Sequence, residues 1–132
     1  LAKDELIVAI SSEHKLSQRD KLTFDDIKNE NFILMNPYTS IYKLCINKLK
    51  ENNIDANIIR TARTESIIGS VAINEGISLL PKSNFEVFHQ KNINTISLKP
   101  QIALSVVLAK HKKTASNIAI KEFIKFVDTI TN

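Results

Sequence analysis

Glycine is almost absent from this sequence: Gly69 and Gly76 are the only two in 132 residues. Phosphate cradles of the GxGxxG or GxxxxGK[ST] type, which need several glycines close together, therefore have no material here. The GxSxG turn that presents a nucleophilic serine is missing as well. Cysteine is scarcer still. Cys45 stands alone, so no internal disulfide can form, nothing in the chain calls for an oxidising compartment, and a reducing cytoplasm is the simple reading. No apolar run approaches the roughly 20 residues that a membrane-spanning helix needs. The start, "LAKDELIVAIS", lacks the basic head, long apolar centre and small-residue cleavage site of a secretory signal. Because it begins at Leu1 rather than at methionine, the chain is expected to be a piece of something longer. Charge of one sign is also lacking: 18 Lys and Arg are scattered among 14 acids, and a net charge of +4 spread this way does not make a nucleic-acid surface.

What is present has the balance of a soluble globular protein, with 43% hydrophobic and 24% charged residues. This length suits one ordinary domain, which would bury about two thirds of its unfolded surface. "ELIVAIS" (5–11) is a continuous apolar, β-branched run and reads as a strand covered on both faces. The polar stretch 12–31 reads as a connection, with a short helical turn at "FDDIKN" begun by Thr23. "FILMN" (32–36) is a second buried strand, stopped by Pro37. In "TSIYKLCINKLKENN" (39–53), Ile41, Leu44, Cys45 and Leu49 recur at three- and four-residue spacing, which predicts an amphipathic helix capped by Thr39 or Ser40. "ANIIRTA" (56–62) and "GISLLP" (76–81) read as strands on either side of a helix at "TESIIGSVAIN" (64–74). "FEVFHQ" (85–90) is a short helix or turn. "TISLK" (95–99) and "ALSVVLAK" (103–110) read as two strands split by Pro100, and "SNIAIKEFIKFVDTITN" (116–132) as a final helix begun by Ser116. The order is that of an α/β fold with a mainly parallel sheet flanked by helices.

Ligands of open parallel sheets sit at the carboxyl ends of the strands, where loops meet helix N-termini. Three such edges are legible: "NPYTS" (36–40), "RTES" (63–66) and "LPKS" (80–83). A helix N-terminus carries about half a positive charge and spare N–H donors, so Thr39, Ser40, Thr64 or Ser66 could receive a carboxylate. The same four hydroxyls could equally serve only as caps, and both readings stand at this point. Glu65 competes with an anion for the same dipole and would instead face an amine.

Elsewhere the plain reading wins. His14, His89 and His111 are far apart, without HxxxH or CxxC spacing, and are assigned to the surface. Cys45 lies on the apolar side of its helix and is assigned to the core. Asp25 and Asp26 point about 100° apart on a helix, cannot share a catalytic site, and are better placed serving a helix N-terminus. "KHKK" (110–113) reads as a solvated loop. Nothing nominates a catalyst, a metal site or a cofactor.

Three longer stretches carry a family likeness. "ELIVAISSEHKLSQRDKLTFDDIKNENFILMN" resembles the run of LysR-type transcriptional regulators that reads strand, "hpLa", connection, "l.dL...pfi". "SVAINEGISLLPKS" is similar to that family's "lVaaGlGialLP", and "SNIAIKEFIKFV" to its closing "s.aa.aFi.fl". The resemblance covers nearly the whole chain. It implies the effector-sensing region of a cytoplasmic bacterial regulator, a homodimer or higher homo-oligomer built of two periplasmic-binding-protein-like α/β subdomains behind a DNA-binding head outside this chain. By that likeness residues 31–99 would form the second subdomain, and residues 1–30 with 100–132 part of the first. It also implies a small-molecule effector, a carboxylate or amino acid, held by Asn36, Tyr38, Thr39 and Ser40 of "NPYTS", by Thr64, Glu65 and Ser66 of "RTES", and by Leu80 and Pro81 of "LLP". Thr64 is the leading residue. DNA would be met only through the outlying head, and no membrane partner or enzymatic activity is implied. The rival reading is a solute-binding component of a transport system with the same fold.

The family pattern has glycine at Asn74 as well as at Gly76. Asparagine tolerates the left-handed conformation that ends a helix, so Asn74 is expected to close the preceding helix. Gly76 is expected to provide a tight turn into the next strand.

Overall fold

A computed structural model of the chain describes residues 2–87, 90–108 and 122–128, with side chains at 4–86 and 90–104. His89, His111, "KHKK" and residues 116–121 of the expected last helix lie outside the described residues. The elements run β1 (Ala2–Ser11), β2 (Lys21–Leu22), α1 (Phe24–Ile27), β3 (Asn31–Met35), α2 (Ser40–Glu51), β4 (Asn57–Ala62), α3 (Thr64–Ala72), β5 (Ser78–Pro81), α4 (Lys82–Val87), β6 (Ile93–Leu108) and β7 (Glu122–Asp128).

The α/β class holds, and the strand directions are mixed. β3 and β4 pair in parallel, with Met35 opposite Ala62. A parallel bridge joins Phe32 to Ile77. There Ile77 N–H donates to Asn31 O and Ile33 N–H to Ile77 O, both at 2.9 Å. β1 runs antiparallel to β5 on one side and to β6 on the other. β2 pairs in parallel with β6. Element order alone suggested mainly parallel pairing, but β1 is antiparallel to both neighbours because it enters the sheet between two strands that come much later in the chain.

β1 explains why the core has two sides. Successive side chains of a strand point to opposite faces. Leu6, Val8 and Ile10 join Phe32, Leu34, Leu79 and the apolar stripe of α2. Ile7 and Ala9 instead join Ile33, Leu80 and the α3 residues Ile67, Ile68 and Val71. The apolar run Leu6–Ile10 of β1 is thus covered on both faces, as the unbroken run required. The first of these clusters also takes Leu22, Phe24 and Ile27 from before residue 31, and Ile102 and Leu104 from after residue 99. Packing is continuous across both boundaries expected between subdomains.

Three readings of the backbone change. The two strands expected around Pro100 are one, β6, with a cis Lys99–Pro100 bond. Leu6 faces Ile102 while its neighbour Ile7 faces Ser97, so the residues between bulge out of the ladder. A proline in a bulge is excused from donating a ladder hydrogen bond, which is why it need not end the strand. Over 122–128 the expected helix is replaced by β7, antiparallel to β6 with Val127 opposite Ala103. "EFIKFVD" is rich in aromatic and β-branched residues that fit a pleated surface, and the open side of β6 beyond β2 offers a ladder to join. Gly76 has no positive φ. Its role is a close approach: a Cβ there would lie 2.7 Å from Asn31 O.

Other readings hold. Thr23 caps α1 in a reciprocal capping box with Asp26. Asn74 adopts φ 63° just past α3. Cys45 is buried in the larger cluster. His14 departs from the surface assignment. Its ring accepts from Leu16 N–H through Nδ1 at 3.0 Å and meets Glu30 Oε1 through Nε2 at 2.7 Å. With Nδ1 taken as an acceptor, the ring proton sits on Nε2 facing the carboxylate.

Candidate functional site

The parallel strands β3, β4 and β5 end together at Met35, Ala62 and Pro81, and each end is followed by a helix. "NPYTS" and "RTES", 23 residues apart at their closest, are thereby brought to one edge, with "LPKS" beside them. The three sequence edges are one place.

The two threonines at this edge are used differently. Thr39 is the N-cap of α2: its Oγ1 accepts from Tyr42 N–H at 3.1 Å and donates to Asn36 O at 2.7 Å. Donor and acceptor are both spent within the turn, so Thr39 is held by capping. Asn36 is bound into the same turn, accepting also from Thr39 N–H at 3.0 Å. Thr64 instead lies in the first turn of α3, behind Arg63, an N-cap residue whose side chain makes no capping bond. It is 8% exposed. Its Oγ1 accepts from Asn84 Nδ2 at 3.3 Å and donates to Met35 Sδ at 3.3 Å. A thioether is a weak acceptor, so this hydroxyl proton is poorly committed.

The remaining expected residues are arranged around these two. Ser40, Glu65 and Ser66 are exposed on the first turns of α2 and α3. Tyr38 is 78% exposed, with Asn36 Nδ2 donating to its hydroxyl at 3.4 Å. Leu80 is fully buried between Ile7, Ile33 and α3, and buried Pro81 pairs with Leu6, so these two form the floor of the edge. Sequence reasoning missed Asn84 and Met35. Asn84 lies 20 residues beyond Thr64 on a different helix, and no periodicity could have joined them.

A concavity of about 320 Å³ opens one residue along α4, lined by Asp4, Glu5, Lys82, Ser83, Glu86 and Gln101. It takes Lys82 and Ser83 of the "LPKS" edge and none of the residues expected to hold the effector. Ser83 ties it to β1, donating to Asp4 Oδ1 from its N–H at 3.1 Å and to Oδ2 from its hydroxyl. Its carboxylates suit an anion poorly, whereas the first turns of α2 and α3 present N–H groups. Among the described residues no group of His, Cys, Asp and Glu could hold a metal ion.

An α/β body with helices on both faces, and hydroxyl and amide groups at a shared carboxyl edge, defines the class of small-ligand-binding domains. The LysR substrate binding domain matches residues 1–130. The chain belongs to that family. The HTH-type transcriptional regulator SoxR of Arthrobacter sp. (strain TE1826) is 26% identical over 118 residues, covering 89% of this chain and 40% of the relative. The BenM effector binding domain with its effector benzoate superposes with a TM-score of 0.67 at 20% identity, over 97% of this chain and 52% of that one. The effector binding domain of QuiR in complex with shikimate gives 0.66 at 24% identity, over 74% and 46%. The chain thus spans about half or less of the length of these relatives, and the fold is the periplasmic-binding-like one expected.

Proposed function

We propose that this chain is a ligand-binding part of the effector-sensing region of a transcriptional regulator, and that its effector docks at the edge formed by Asn36, Thr39, Thr64 and Asn84. The observation that carries this reading is the state of Thr64: nine-tenths buried at a helix start, with its proton directed only at a sulfur. The matched relative is a regulator, which favours sensing over solute transport. Benzoate and shikimate, the ligands of two structural neighbours, are both carboxylates, and a small carboxylate or an amino acid is the effector class proposed for this chain.

Residues 6–104 act in this reading as one lobe, since the larger core cluster draws on both ends of that span. Effector binding shifts the population of lobe arrangements in a cytoplasmic homo-oligomer and so the placement of DNA-binding heads, with no chemical step. The test is a thermal-shift screen of small carboxylates and amino acids on the full-length regulator. A stabilising ligand whose effect is lost in Thr64→Ala supports the site. A ligand whose effect survives that substitution unchanged places the site elsewhere.

A further inference from the structure

We propose that Asn84 is a positioning residue of this edge: its amide fixes the Thr64 hydroxyl as a donor and so selects ligands that present an acceptor oxygen there. The proposal rests on reading the edge as the effector site, and it adds a residue that neither the sequence nor the family pattern nominated.

A threonine hydroxyl has one proton and two lone pairs. Asn84 Nδ2 takes a lone pair from one side at 3.3 Å, and the proton is left for Met35 Sδ at 3.3 Å. Thr64 is 8% exposed, so bulk water competes little for it. An incoming carboxylate oxygen replaces the thioether as acceptor, exchanging a weak hydrogen bond for a charge-assisted one. An ammonium would be left only the second lone pair, next to the Asn84 amide that already donates to the same oxygen. It would also face the positive end of the α3 dipole. Exposed Arg63 adds to this preference, and exposed Glu65 on the same turn opposes it. The half-buried position of Asn84 on α4, directly after the strand that ends at Pro81, keeps its amide in place.

The experiment is an amide-resonance titration of the ¹⁵N-labelled chain with sodium acetate, against sodium chloride at equal ionic strength and against methylammonium chloride. Acetate is expected to move the resonances of Arg63, Thr64, Glu65 and Ser66 saturably, and methylammonium is not. Asn84→Asp, which reverses the hydrogen bond, and Asn84→Ser, which is uncharged and too short to reach Thr64, should each weaken acetate by about tenfold. Met35→Leu removes the competing sulfur and should hold or raise the acetate affinity. Wild-type acetate affinity in Asn84→Ser overturns the role of Asn84 and leaves the site standing. A preference for methylammonium overturns the donor assignment. No acetate response at residues 63–66 of the wild type overturns the site and this proposal together.

Discussion

Gly76 and Asn31 stand so close that a Cβ on Gly76 would lie 2.7 Å from the Asn31 carbonyl oxygen. That oxygen accepts from Ile77 N–H in the bridge that joins the two sheet segments, so neither backbone can give way without loosening the join. Gly76→Ala is expected to destabilise by about 2 kcal/mol, within the usual range for overpacking. Gly69 is the opposite case, exposed in α3 with nothing within 4 Å of its would-be Cβ. Gly69→Ala should stabilise by about 0.5–1 kcal/mol through helix propensity and unfolded-state entropy. Urea melts of the two variants should move in opposite directions.

Asp26 carries a pH dependence. The Thr23 backbone N–H donating to its carboxylate at 2.9 Å is the largest cause holding its pKa below the usual range, helped by the Thr23 hydroxyl and Arg19 and opposed by desolvation. Its stabilising contribution is therefore complete above the unfolded-state value of about 3.9 and fades as pH falls through the lower folded value. Asp26→Asn should be less stable than wild type at pH 7, and the gap should close progressively below about pH 4. Thr23→Ala should cost about 1 kcal/mol through loss of the N-cap. Chemical denaturation from pH 7 to pH 2.5 measures both.

Cys45 should be inert while the chain is folded. Burial pushes its thiol up to about 12 and encloses it in the core under α2. Iodoacetamide at pH 8 should leave it unmodified in native buffer and alkylate it in 6 M guanidinium chloride. Modification in native buffer at the rate of a free thiol would contradict this burial.

Ser78 is fully buried, and its hydroxyl has no hydrogen-bond partner among the described residues. Removing a buried, unpaired hydroxyl removes a desolvation penalty, so Ser78→Ala should be neutral or stabilising by up to about 1 kcal/mol. A lowered melting temperature would show that the hydroxyl has a partner.

Most helices and strands were legible because their signals are local. α2 follows from the spacing of Ile41, Leu44, Cys45 and Leu49, and all four are buried. α1 follows from Thr23 and Asp26, three residues apart. β1 follows from an unbroken apolar run, and the covering of both its faces follows from the same run. The end of α3 follows from the tolerance of asparagine for positive φ at Asn74.

The site was half legible. The hydroxyl-rich loops could be named from strand ends, but capping and ligand binding use the same residues at the same positions, and only hydrogen-bond partners separate Thr39 from Thr64. Sequence by itself determined most of the helix and strand segments and which of their faces turn inward, because propensity, capping and periodicity act within a few residues. Tertiary structure alone decided strand direction, the passage of β6 through Pro100, the strand at 122–128, and the meeting of Asn84 with Thr64 and Met35. Each of these depends on partners that lie far along the chain, and their pairing is settled by which faces the folded body can bury together.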